Sequence, residues 1–162
     1  MISGENILTD SSGNLLIKVF FSSKHPEKRT YREHHHAECE LSLFIKGDGV
    51  YRIKNKSYDF HSGDVFLFNS DEVHCITDIN SDCQLLNIQF APRILWADKS
   101  KSELLKIFFA RSSAFENRID RQNPHTEKIR ADILNLEHEM SEKLPGYEAM
   151  TKYMLFSALT SL

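Results

Sequence analysis

Several kinds of signal are missing from these 162 residues, and each absence removes a class of protein. No apolar run approaches the length of a membrane-spanning helix, and the opening stretch Met1-Ile2-Ser3-Gly4-Glu5-Asn6 lacks the basic-then-apolar pattern of a secretory leader. A cytoplasmic protein is therefore expected. Cysteine is scarce: Cys39, Cys75 and Cys83 are odd in number and show no C-x-x-C spacing, which argues against a disulfide framework or a thiolate zinc site. Reduced, partly buried thiols are the reading, although Cys39 and Cys75 each stand beside a motif residue. No block of Lys or Arg forms a stripe with interleaved aromatics, and the net charge is −3 with a pI near 6.2. The chain thus lacks the positive field that neutralises phosphates, and these residues are not expected to bind nucleic acid themselves.

What remains is the composition of an ordinary globular domain, 41% apolar and 27% charged, long enough for one core and an appended element. The first ninety or so residues read as β. Strand-like runs are Leu15 to Phe21, Leu41 to Ile45, Val50 to Ile53, Val65 to Phe68, Val73 to Thr77 and Leu85 to Phe90. Turn chemistry separates them at Ser12-Gly13-Asn14, Lys46-Gly47-Asp48-Gly49, Asn55-Lys56, Ser62-Gly63-Asp64 and Asn80-Ser81-Asp82. Many short strands point to a sandwich or barrel, not to alternating βαβ units.

After Ala91-Pro92 the period changes to helical. Leu104, Leu105, Ile107, Phe108 and Phe109 mark one helix. Asn123-Pro124 supplies an N-cap and first-turn Pro for a second, striped by Ile129, Ile133, Leu136 and Met140 and ended by Pro145-Gly146. A third runs from Tyr147 to Leu162 with no stop signal, so the chain is expected to continue. The expected division is a β-barrel over residues 1–92 and a helical segment over 93–162.

Chemistry concentrates in two motifs. His34-His35-His36-Ala37-Glu38-Cys39-Glu40 continues to Gly47 with the spacing H-x-H-x3-E-x6-G, and Gly63 precedes His74 with the spacing G-x10-H. Three imidazoles and a carboxylate suit either a divalent transition metal (Zn, Ni, Mn or Fe) or, without an ion, hydrogen bonding to an organic ligand. Both readings stay open. Strand alternation points His34 and His36 the same way, yet a straight strand would put Glu40 about 20 Å from His34. A bend over Ala37-Glu38-Cys39 is therefore required. Beyond it, Glu40, Ser42 and Phe44 share one face and Leu41, Leu43 and Ile45 the other; Asn87 and Gln89 likewise oppose Leu86, Ile88 and Phe90. The expected pocket set is His34, His36, Glu40, Ser42, Phe44, Tyr51, His74, Asn87 and Gln89, with Phe66 and Phe68 as further aromatic walls. Within it His34, His36, Glu40 and His74 are the expected metal ligands. His35, on the opposite face, is expected to be exposed or paired with Glu33 or Glu38.

The spacing of the two motifs resembles the paired motifs of cupins, with Asn69 and Asp71 standing where Pro and Gly are usual and Asp78 where Asn often occurs. The likeness from Tyr31 to Phe90, carried by Glu33 to Gly49, Tyr58 to His74 and Ile88-Gln89-Phe90-Ala91-Pro92, is specifically to the sugar-binding cupin domain at the N-terminus of AraC-type transcription regulators. That resemblance implies a mainly β, double-stranded β-helix barrel followed by two to three C-terminal helices. It further implies a small polar effector, a sugar on family analogy, homodimerisation through the helices, and DNA contact only through a C-terminal helix-turn-helix domain outside this chain. No catalytic residue is expected. The competing reading is a stand-alone metal-dependent cupin enzyme, a dioxygenase or isomerase, using the same His/Glu set.

Overall fold

The computed structural model describes residues 5–26, 32–96 and 102–162. Tyr31, where the resemblance begins, and residues 1–4, read above for a leader, lie outside them. Among the described residues nine strands form two sheets. The larger joins β1 (Asn6–Thr9), β2 (Leu15–Lys24), β8 (Cys83–Phe90), β3 (Cys39–Lys46), β6 (Val65–Phe68) and β9 (Arg118–Ile119) in that order; the smaller joins β5 (Lys56–His61), β4 (Asp48–Ile53) and β7 (His74–Ile79). Every pairing is antiparallel.

The expected strands are all present and the alternation holds. Leu41, Leu43, Leu86, Ile88 and Phe90 turn outward from the barrel into one apolar cluster, and Phe44, Tyr51, Phe60, Phe66, Phe68 and Leu85 turn inward into another. The inner cluster is a stack of rings: Phe44 lies 3.9 Å from Phe60 in parallel and meets Phe66 edge-on at 5.5 Å. Offset and edge contacts of this kind close one end of the barrel. Tight turns and close approaches hold the sheets in register. Gly47 and Gly63 adopt φ of +97° and +92°, as expected of turns needing positive φ. At Gly49 an added Cβ would meet the Asp78 carbonyl oxygen at 2.1 Å, so only glycine lets β4 and β7 approach there.

A 3₁₀ turn (Pro92–Leu95) leaves the barrel, and among the described residues three helices follow: α1 (Ser102–Phe109), α2 (Thr126–Glu142) and α3 (Tyr147–Thr160). The start of α2 falls later than Asn123-Pro124 predicts. Asn123 instead forms a turn before the helix, its side chain accepting from His125 N–H and its carbonyl from Thr126 N–H. The α2 stripe is as expected, but its partner lies in the same chain. Ile129, Ile133, Leu136 and Met140 are fully buried with Leu155, Ala158 and Leu159 of α3 and with the outward face of the large sheet. That stripe is not available to a second subunit. The helices α2 and α3 leave Leu134, Met150 and Tyr153 exposed, as is Leu144 in the turn between them.

Strands β1, β5 and β9 were not expected. β1 is four residues long with one buried side chain, and β9 has two residues, too short to show a period. Strand β9 also crosses the expected division at residue 92, since Arg118 and Ile119 pair with Phe66 and Val65 of the barrel.

Candidate functional site

The required bend is present. His34 pairs with His74 through two backbone hydrogen bonds (3.2 and 3.0 Å), the chain turns over Ala37 and Glu38, and β3 begins at Cys39. His36 Nε2 thereby comes to 2.9 Å from Glu40 Oε2. His36, Glu40 and His74 each offer a ligand atom within 4.8 Å of the others. His34 stands at the edge of this group, its ring 4.3 Å from that of His74 and 6.4 Å from that of His36. The expected quartet is thus a compact trio with a more exposed flanking imidazole.

Backbone carbonyls orient all three rings. His36 Nδ1 lies 3.0 Å from the Glu38 carbonyl, His74 Nδ1 2.6 Å from that of Glu72, and His34 Nδ1 3.2 Å from that of Arg32. A carbonyl can only accept, so each Nδ1 carries the proton and each Nε2 faces away with whatever it binds. The Nε2 atoms of His36 and His74 are buried and make no well-aligned hydrogen bond. A neutral His36 would set its Nε2 lone pair against the Glu40 carboxylate at 2.9 Å. Two acceptors that close need a proton or a cation between them.

The electrostatics separate the trio. Burial would hold His36 neutral, but the Glu40 hydrogen bond and charge outweigh it and raise its pKa. His74 is lowered, chiefly by burial. Burial would push the Glu40 carboxyl up, yet the His36 hydrogen bond, the charge of His74 and Ser42 hold it below its ordinary value. Glu40 is also tied down by polar neighbours. Ser42 donates to Oε1 at 2.5 Å and Gln89 donates to Oε2 at 2.8 Å, while Asn87 stands 2.9 Å from Ser42 and donates to Ser22 at 3.0 Å. A donor set of two imidazoles and one anchored carboxylate fits a divalent transition ion.

Beside the trio a cavity of about 320 Å³ opens between the sheets. His34, Glu40, Tyr51, Asn87 and Gln89 of the expected set line it. Ser42 and Phe44, both fully buried, do not: Ser42 supports Glu40 from behind and Phe44 belongs to the ring stack. Phe68 stacks on His74 at 4.3 Å, so it walls the trio more than the cavity. Sequence reasoning missed Phe20, Ser22 and Lys24 of β2 and Arg32, which also line it. The signal was there, since the buried Ile17 and Val19 fix the parity that turns Lys18, Phe20, Ser22 and Lys24 to the opposite face. His35 is exposed as expected, but its neighbour is Asp71 at 3.4 Å.

A second buried polar centre lies behind His74. Glu72, with its side chain 5% exposed, meets Arg111 Nη1 at 2.6 Å and Lys54 Nζ at 3.1 Å. It also accepts from Asn117 Nδ2 at 3.0 Å and from the Asn69 N–H at 2.9 Å. Arg111 stacks over Phe115, 4.1 Å from the ring centre. None of this was legible beforehand, because Arg111 and Asn117 lie some forty residues from Glu72 in sequence.

Among known proteins, the HTH-type transcriptional activator RhaR of Escherichia coli strain K12 is 27% identical over 144 residues, covering 89% of this chain and 49% of that protein; RhaR of Shigella flexneri matches equally. The chain spans about half the length of these curated relatives. Solved structures that align include a cupin superfamily protein from Desulfitobacterium hafniense DCB-2 (17% identity, 54% of this chain and 75% of that one, TM-score 0.43). The DMSP lyase DddQ from Ruegeria pomeroyi aligns similarly (13%, 55% and 47%, 0.44). No helix among the described residues is long and apolar enough to cross a membrane. The family described as the AraC-like ligand binding domain matches residues 16–159, and with that match over nearly its whole length the chain belongs to this family.

Proposed function

We propose that this chain is the effector-sensing and dimerisation part of an AraC-type, DNA-binding transcription regulator of the cytoplasm, binding a small polar molecule, a sugar or sugar derivative, and performing no catalysis of its own. The observation that carries this reading is the division of labour within β3 and β8. Glu40, Asn87 and Gln89 face the cavity, while Leu41, Leu43, Leu86 and Ile88 on the same strands join the cluster that holds α2 and α3. A ligand that draws the polar face inward moves the surface on which the helices rest. Dimerisation through the helices would use residues left exposed, Leu134, Met150 and Tyr153 among them. DNA contact would fall to a helix-turn-helix domain that these residues do not include.

His36, Glu40 and His74 would hold a divalent ion (Zn, Ni, Mn or Fe), which supplies a Lewis-acidic centre for ligand oxygens. A second reading, a metal-dependent dioxygenase or isomerase, draws on the same trio and on the acceptor contact between His36 and Glu40; it predicts turnover by the metal-loaded chain alone.

Thermal denaturation against monosaccharides and their charged derivatives tests the sensor reading. A ligand at a hundred times its Kd stabilises by about 2.7 kcal/mol, which for a chain of this size is roughly 5–10 °C in Tm. A Tm unmoved by every member of such a panel refutes it.

A further inference from the structure

We propose that the effector is a small polyhydroxylated anion, whose acidic group is read by Arg32 and Lys24 at the cavity; the inference rests on the sensor reading above and narrows its ligand class. Both side chains line the cavity, arriving from different segments. Lys24 ends β2 on the face that also presents Phe20 and Ser22. Arg32 lies two residues before His34, in the segment whose backbone pairs with β7 at His74. By strand parity Arg32 therefore presents itself to the same side as His34.

Neither cation has an ion-pair partner among the described residues, although cations close by are paired. Lys18, on the same face of β2, holds Glu5 at 2.8 Å, and Arg52, beside the neighbouring groove, holds Glu33 at 2.7 Å. Among the described residues the cavity has one carboxylate, Glu40, and it is already committed to His36, Ser42 and Gln89. Among the described residues the charge of Arg32 and Lys24 is left uncompensated. In a chain of net charge −3, two cations that line one polar cavity without an ion-pair partner among the described residues favour an anion.

The remaining lining defines the rest of the ligand. Ser22, Asn87 and the free face of Gln89 suit hydroxyl groups, and Phe20 and Tyr51 suit the apolar face of a ring or carbon chain. An arginine fork engages carboxylate or phosphate oxygens in two parallel hydrogen bonds, which are stronger than neutral ones. Sugar acids and sugar phosphates share this chemistry.

The test is calorimetric titration of the purified chain with galactose, glucose and arabinose, each set beside its aldonate, its uronate where one exists, and its phosphate ester. Within at least one set the anion is expected to bind more than tenfold tighter than the neutral sugar, and added salt should narrow the gap. Carboxylate against phosphate preference identifies the source of the charge. In Arg32→Gln and Lys24→Gln the anion should lose about tenfold in affinity, and the gap between anion and neutral sugar should narrow accordingly. Both sites are exposed, and an unchanged Tm of the unliganded variants shows that folding is intact. Neutral sugars binding as tightly as their anions, or an anion preference that survives both substitutions, overturns the proposal and leaves the sensor reading standing. No binding by any member at millimolar concentration overturns both.

Discussion

Replacing Arg111 with Met tests whether the polar centre behind His74 holds the barrel to the segment after α1. In the native chain the guanidinium, 12% exposed, meets a Glu72 carboxylate that is 5% exposed. Breaking a buried pair by removing one partner costs about 3–5 kcal/mol, because the other charge is left stranded. Here the stranding is incomplete. Lys54, Asn117 Nδ2 and the Asn69 N–H remain on Glu72, and methionine retains part of the contact with Phe115 and Phe108. The expected loss is therefore about 2–3 kcal/mol, or roughly 4–12 °C in Tm. Urea denaturation of Arg111→Met, Glu72→Gln and the double variant measures the coupling, expected at about 1.5–2 kcal/mol. The pH dependence has a definite sign. Burial would raise the Glu72 pKa, but the Asn69 hydrogen bond and Arg111 hold it below the ordinary carboxyl value. Its contribution is thus full above the unfolded carboxyl pKa and disappears as pH falls through the lower folded value. Without Arg111 that loss should begin at higher pH. A cost below about 1 kcal/mol, or single-variant losses that simply add, would show that the two residues are neighbours and not a functional pair.

Three other outcomes follow from the same geometry. Protein loaded with zinc or nickel and then desalted should retain close to one ion per chain by elemental analysis, and His74→Ala should lose it; retention weakens as pH falls and protons compete for the imidazoles. Ile133→Ala, at a fully buried position between α2, α3 and the sheet, should cost about 2–5 kcal/mol in chemical denaturation. A cost near zero would mean that the helices do not rest on the barrel. Cys39 and Cys83 are buried, and burial raises their thiols to about 11 and about 12. Both should resist alkylation at neutral pH until the chain is unfolded, so fast labelling of the native protein would contradict the packing.

Fold and site were legible to different depths. Alternation along β3 and β8 separated cavity from core correctly because one face of each strand is aliphatic and the other mostly polar, a contrast that any one-residue slip would invert. The bend before Glu40 was legible as well, since a straight strand cannot bring Glu40 to His36. Reach was not legible. Ser42 and Phe44 share the parity of Glu40, but parity says nothing of how far along the barrel the open space extends, and the ring stack around Phe44 fills that end. The α2 stripe shows the same limit. Its period announces an apolar face, while only tertiary packing decides whether that face meets α3 or another subunit.

Short covalent paths join the polar trio to the surface on which the helices rest. Glu40 is followed by Leu41, and Asn87 is flanked by Leu86 and Ile88, so a change at the cavity face is one residue from the surface that carries α2 and α3. His74 gives a second path, because its Nδ1 is held by the Glu72 carbonyl and the Glu72 side chain is held by Arg111 and Asn117, beyond α1. Neither path transmits anything unless the ligand prefers one arrangement to another. The preference can originate at the trio itself. The His74 Nε2, unlike that of His36 beside Glu40, has no partner among the described residues, and a buried polar group left so costs about 1–3 kcal/mol. Satisfying it with an ion or with a ligand oxygen would release enough free energy to favour the bound arrangement by roughly one to two decades in population. The fully engaged Glu40 carboxylate directs that relief to His74.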